Sequence, residues 1–134
     1  MILVDAGPLV AVFHRNDRHH RRCVDVLREI REPVATTWPV ITEAMYLLGF
    51  LWSLQDALWQ IVAAEEIAIA IVDSRDAARM RALMERYRTL PMDLADASLV
   101  RVAERDGVRT VFTLDRRDFT VYRPEGTGRF TIIP

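Results

Sequence analysis

Two aspartates, Asp115 and Asp118, stand three residues apart in "TLDRRDF" (113–119), directly after the β-branched and aromatic run "RTVF". A solvated turn needs only one acid there, so the second raises the question of shared chemistry. Other acids sit where that residue type is out of place. Asp5 closes the apolar run "ILVD", Glu43 interrupts "WPVITEAMYLL", and Asp96 lies three residues after Asp93 in "DLADASLV". Carboxylates alone form an oxygen-only donor set, which suits a hard ion such as Mg²⁺ or Mn²⁺. Such an ion activates water and stabilises charge on a phosphate. Crowding points the same way. Inside a cleft, two carboxylates ~4 Å apart repel by roughly 4 kcal/mol at an effective dielectric of ~20. A bound cation, or protonation of some members, relieves that repulsion.

The elements that would carry these acids can be read from the apolar pattern. "ILVD" (2–5) is a short buried strand, and Gly7 and Pro8 open a short helix. Residues 17–32 have Cys23, Val24, Leu27 and Ile30 on one stripe, an amphipathic helix capped by Asp17. "PVATT" (33–37) is a second strand; 39–52 is helical; a further helix over 53–66 has Ser53 as its cap. "IAIAIV" (67–72) is a third strand, and 74–88 a helix capped by Ser74. A helix over 93–107 ends at Gly107, "RTVFT" (109–113) is a fourth strand, and 128–133 could form a fifth. Strands alternate with helices, and two strands are apolar throughout. The expected fold is therefore α/β, with a mainly parallel sheet of four to five strands covered on both faces. Residues 1–134 read as a single domain.

In open parallel sheets, ligands bind beyond the carboxyl ends of the strands. Asp5 ends the first strand and Asp115 follows the fourth. Glu43 lies early in the helix after the second strand, and Asp96 near the start of the helix that leads into the fourth. Four acids from four segments are thus directed to one edge, flanked by Asp93 and Asp118. Each also has a plainer role: Asp5 as a strand end, Asp96 as a first-turn acid favoured by the helix dipole, Asp93 as a helix cap, Asp118 as a turn former. Thr113 could orient a carboxylate or a metal-bound water, or simply finish a strand.

Composition narrows the alternatives. Apolar residues make up 51% and charged residues 28% of the 134, and the formal net charge is −1. Basic surface for nucleic acid must therefore be local. All 18 basic residues are arginine. That excludes a P-loop lysine or a Schiff base and leaves guanidinium groups suited to phosphates, although codon bias also produces arginine-only usage. Arg15 and Arg18 in "HRNDRHHRR", with Arg116 and Arg117 between the two acids, are the candidate contacts for backbone phosphates. His14, His19, His20 and Cys23 lack the spacing of a four-ligand zinc site. There is no Gly-rich phosphate loop and no G-x-S-x-G elbow. A lone cysteine and an N-terminus without a basic region fit a reducing cytoplasm. The most apolar region, "AMYLLGFLW", is far shorter than the ~20 residues of a membrane span.

With these residues in order, "ILVDAGPLVAVF", "ITEAMYLL", "LADASLV" and "TLDRRDF", the chain resembles PIN-domain ribonucleases of the VapC toxin type over essentially its whole length. The resemblance implies a three-layer α/β/α fold and divalent-metal-dependent RNA cleavage. It also implies a cognate antitoxin and a homodimer. It matches Asp5, Glu43, Asp96 and Asp115 to the family's acidic quartet and places Thr113 and Asp118 in the same terminal motif. Two other classes compete. A phosphoaspartate protein needs a lysine and usually a second acid two residues past the first, where this chain has Gly7. A non-catalytic RNA-binding or scaffold domain has no use for a complete acidic set, because acids repel RNA.

Overall fold

A computed structural model describes residues 1–134. Five short strands, β1 (Ile2–Val4), β2 (Val34–Thr36), β3 (Ala68–Ile69), β4 (Thr110–Phe112) and β5 (Thr131–Ile133), form one sheet in the order β3-β2-β1-β4-β5. Every neighbouring pair is parallel. β1 is central, with Leu3 paired to Ala35 on one side and to Val111 on the other. Its three residues are buried, which explains their unbroken apolar run. The chain builds outward from β1 through β2 to β3, then returns to lay β4 and β5 on the opposite side. That reversal falls between β1 and β4, where the strands' carboxyl ends leave a crevice.

Helices α1 (Ala6–Phe13), α2 (His20–Glu29), α3 (Trp38–Leu47) and α4 (Trp52–Ala63) make the β1–β2 and β2–β3 crossovers. Helices α5 (Ala77–Arg86) and α6 (Leu94–Asp106) make the return to β4, and α7 (Arg116–Val121) links β4 to β5. Right-handed crossovers in this strand order put α1–α4 on one face and α5–α6 on the other, giving three layers. α6 is the most deeply set helix, buried continuously from Ala95 to Val100 and again at Val102 and Ala103. Its ends match the sequence reading. Asp93 caps it, and Gly107 closes it in the left-handed conformation at φ 69°. No helix is long and apolar enough to cross a membrane.

Several local expectations need correction. α2 starts at His20, and Asp17 instead stabilises the preceding turn by accepting from the His19 amide at 2.8 Å. α3 stops at Leu47, because the chain turns at Gly49, where a Cβ would lie 3.1 Å from the Tyr46 carbonyl. Ser53 lies inside α4 rather than capping it. Only Ala68 and Ile69 of the 67–72 run are in the sheet, at its edge, and Ile71 is 64% exposed. Ser74 is not the cap of the next segment. Asp73 accepts from the Arg75 amide while Asp76 accepts from the Asp73 amide, a reciprocal arrangement around a 3₁₀ turn. A carboxylate is the stronger acceptor, so Asp73 displaces its hydroxyl neighbour. α7 was not expected at all.

Asp76 does more than cap. Its buried carboxylate accepts from Arg101 Nε at 2.7 Å and from an Arg105 guanidinium nitrogen at 3.1 Å, both on α6. Arg105 also donates to the Ile71 carbonyl, tying the irregular chain after β3 to α6. Asp76→Ala leaves Arg101 without its carboxylate and Arg105 with only Asp106 and the Ile71 carbonyl. It should cost about 3 kcal/mol in urea unfolding, the low end for a broken buried pair because both arginines keep some water contact. A loss below about 1 kcal/mol would mark the network as an ordinary surface pairing.

Candidate active site

The site begins where β1 and β4 end. The Asp5 amide donates to the Phe112 carbonyl at 2.9 Å, extending the ladder by one residue. Asp5 then turns the chain into α1 as its N-cap, with Oδ1 accepting from the Ala6 amide at 2.8 Å. Its Oδ2 accepts from the hydroxyl of Thr113, which is fully buried, also at 2.8 Å. The same Thr113 oxygen accepts the Asp115 amide at 3.0 Å. One hydroxyl therefore joins the ends of the two central strands and orients an acid on each.

Two helix starts bring in further acids. Asp93 caps α6 by accepting from the Asp96 amide at 2.8 Å, which places Asp96 in the first turn. Asp96 Oδ2 accepts from the Tyr122 hydroxyl at 2.7 Å. Asp115 caps α7 by accepting from the Asp118 amide at 3.2 Å. Oxygens of Asp96, Asp115 and Asp118 all lie within 4.8 Å of one another. Glu43, half-buried on α3, completes the wall. All six carboxylates expected at this edge line one cleft, with Ala6, Gly7, Leu47, Pro91 and Leu114 between them, and no arginine is among the lining residues.

The electrostatics follow from burial and crowding. Burial pushes the Asp5 carboxyl up, opposed by its bonds to Thr113 and Ala6 and reinforced by Asp93 and Asp115. Glu43 is raised by burial and then by Asp93 and Asp5. Asp118 is raised by burial and then by Asp115. Asp96 is pushed up to about 8, chiefly by burial, with Asp5, Asp93 and Asp115 adding to the shift and the Tyr122 bond opposing it. Burial and Asp96 raise the Tyr122 phenol further, so it remains a neutral donor.

The donor set fits a divalent cation. It is all oxygen, and oxygens of Asp96, Asp115 and Asp118 lie within 4.8 Å of one another, near enough to converge on one hard ion. The other expected residues are placed differently. Arg15 and Arg18 are exposed in the turn between α1 and α2 and do not line the cleft. Arg116 reaches the carbonyls of Ile132 and Pro134 at the chain end. Arg117 is exposed, and its charge acts on Asp118. The histidines gather no metal site: His14 stacks on Phe50, and His20 Nδ1 is paired with the Ala11 carbonyl. The sequence reading missed Tyr122. The i, i+4 spacing from Asp118 and the i, i+3 spacing from Phe119 would have marked it had α7 been recognised.

Against known proteins, a family model described as PIN domain matches residues 2–123. Ribonuclease VapC26 of Mycobacterium tuberculosis (strain ATCC 25618 / H37Rv) is 29% identical over 143 residues, covering 99% of this chain and all of that protein. The fold is similar to the crystal structure of M. tuberculosis VapC20, a sarcin–ricin loop cleaving toxin, with a TM-score of 0.80 at 18% identity over 87% of this chain and 92% of that one. It is also similar to a chain of a toxin–antitoxin complex from Klebsiella pneumoniae, with a TM-score of 0.71 at 18% identity over 100% of this chain and 97% of that one. With the acids converging at the strand-order reversal and the match running from β1 to the residue after Tyr122, the chain belongs to the PIN-domain family.

Proposed function

We propose that this protein is a divalent-metal-dependent endoribonuclease, the toxin of a toxin–antitoxin pair, acting in the cytoplasm on RNA phosphodiester bonds with Mg²⁺ or Mn²⁺. The observation that carries the reading is the cleft lined by six carboxylates and no arginine. The ribonuclease among its relatives and the toxins among its structural neighbours support it. A non-catalytic RNA-binding or scaffold domain is the alternative. A concentrated negative cleft repels a phosphate backbone, so that reading leaves the acids without a task.

Asp5, Glu43, Asp96 and Asp115 would hold the ion, directly or through waters, and Asp118, whose oxygen groups with those of Asp96 and Asp115, would join them, with Asp93 on the cleft wall. When bound, a divalent ion supplies a Lewis acid at the scissile phosphate and lowers the pKa of coordinated water. Thr113 keeps Asp5 oriented and favours its ionised form through the bond to Oδ2. Arg117 stands beside the acids, and Arg15 and Arg18 stand on the α1–α2 turn. Arg117 is the nearer candidate to steady a backbone phosphate at the cleft rim, and Arg15 and Arg18 are further proposed phosphate contacts away from it. Arg116, occupied by carbonyls, contributes less.

The partner surface is the knuckle between α3 and α4. The proposed surface spans residues 43–62. Within that segment Leu48 and Leu58 are buried, while Tyr46 is 83% and Trp52 66% exposed, with Phe50 and Leu51 also open. Apolar groups clustered in this way mark interfaces. A second copy of the chain and a cognate antitoxin are the proposed occupants.

Two measurements test these readings. Cleavage of a mixed RNA pool should require Mg²⁺ or Mn²⁺, fall to background in excess chelator, and be absent from Asp96→Asn purified in parallel. Full activity with metal-free substrate in chelator would refute the mechanism. Light scattering after size exclusion should give about twice the 15.4 kDa chain mass at micromolar concentration. Phe50→Ser with Trp52→Ser should shift it toward the monomer. A monomeric wild type, unchanged by co-expression with the product of a neighbouring small reading frame, would argue against the interface.

A further inference from the structure

Tyr122 follows α7 and directs its hydroxyl back at the acid cluster. It donates to Asp96 Oδ2 at 2.7 Å. Its ring is fully buried, edge-on to Tyr87 with centroids 5.0 Å apart and to Phe119 at 5.1 Å. The Tyr87 hydroxyl accepts the Arg123 amide at 2.9 Å, which fixes the backbone just after Tyr122. The phenol therefore cannot swing aside without moving the end of α7. No other side-chain or amide donor reaches Asp96, so Oδ2 is engaged and Oδ1 is left for a ligand.

We propose that Tyr122 is the positioning residue for Asp96 and sets the ion preference of the site, by holding Oδ2 and favouring ligation of Asp96 through Oδ1. The inference rests on reading the cleft as a cation site. Its consequence is chemical. Mg²⁺ demands near-octahedral geometry at ~2.0–2.1 Å, whereas Ca²⁺ takes about 6–8 oxygens at ~2.3–2.6 Å and readily uses both oxygens of a carboxylate. Asp5 is also restrained, since the Ala6 amide and Thr113 hydroxyl each take one lone pair of one of its oxygens and fix the plane of the carboxylate, leaving one lone pair on each. Both of the most buried acids of the cleft are thus held in fixed orientations that disfavour bidentate ligation, which favours a small octahedral ion over Ca²⁺. Outer partners of this kind also orient the ligand, and their loss typically weakens metal binding about 10–100-fold.

Tyr122→Phe keeps the ring and removes the hydroxyl. Phe119→Leu disturbs the same aromatic packing without touching Asp96. For wild type and both variants, the Mn²⁺ dissociation constant is measured by electron paramagnetic resonance of free Mn²⁺, the Ca²⁺ constant by competition with Mn²⁺, and the metal-free melting temperature alongside. Wild type should prefer Mn²⁺ to Ca²⁺. Tyr122→Phe should weaken Mn²⁺ about tenfold or more and Ca²⁺ much less, so the preference falls by a similar factor. Phe119→Leu should lower the melting temperature and leave the preference unchanged. An unchanged preference in Tyr122→Phe, with wild type binding normally, overturns the assignment of Tyr122 alone. An equal change in Phe119→Leu shows that packing, not the hydroxyl, is responsible and overturns it too. Wild type that binds neither ion overturns the cation site, and this inference with it.

Discussion

The fold is organised around an electrostatic conflict: six carboxylates gathered in one cleft, two of them, Asp5 and Asp96, buried. What allows the chain to fold around them is that half of them are helix caps. Asp5 caps α1, Asp93 caps α6 and Asp115 caps α7, each by accepting a backbone amide. The starts of three helices therefore meet at the crevice between β1 and β4, and their unpaired amides and positive dipole ends oppose the accumulated negative charge. Asp96, inside the first turn of α6 rather than at its cap, makes a single hydrogen bond through its carboxylate, to Tyr122, and burial pushes it up to about 8.

The arginines are divided in a complementary way. None lines the cleft, and several are spent inside the fold. Arg101 and Arg105 serve Asp76, and Arg79 serves Glu104, whose Oε2 also accepts the Glu125 amide. These pairs lock α5 to α6 and the loop before β5 to both, so the platform under Asp93 and Asp96 is rigid. Neutralisation of the cleft is thereby left to something that can come and go, as a divalent ion does.

Much of this arrangement was legible in the sequence because local chemistry and global position coincide. Asp5 after an apolar run, and Asp93 with Gly107 at the two ends of α6, each have a short-range signature that survives folding. Glu43 stood out because a charge interrupts an apolar helix. Tyr122 was invisible for a physical reason. α7 is six residues long, too short to show a 3.6-residue period, and its cap Asp115 is also the acid that made the segment read as a turn. The edge strand β3 was overread because a parallel sheet needs only two residues of a six-residue apolar run there. At Ser74 the neighbouring Asp73 takes the capping role, whereas at Asp17 and Ser53 the helices start elsewhere, at His20 and Trp52, with no side-chain cap.

The central claim is that the acids share one cleft whose repulsion a cation relieves. Asp96 has its folded pKa raised from the usual carboxylate value to about 8. Its stabilising protonation is therefore fully present below about pH 4 and is lost as pH rises toward 8, so metal-free stability should decline across that window. Asp96→Asn keeps the shape and an acceptor for Tyr122 while removing the charge. The most direct measurement is a set of thermal melts of wild type and Asp96→Asn at pH 7, in chelator and in saturating Mg²⁺. In chelator the variant should be the more stable, by on the order of 2 kcal/mol, given about 1.4 kcal/mol per pKa unit less the cost of burying an amide. In Mg²⁺ the advantage should shrink or reverse, because the ion binds folded wild type more tightly. A variant that melts below wild type in chelator would show that Asp96 is a structural acceptor and that the acids do not form one strained site.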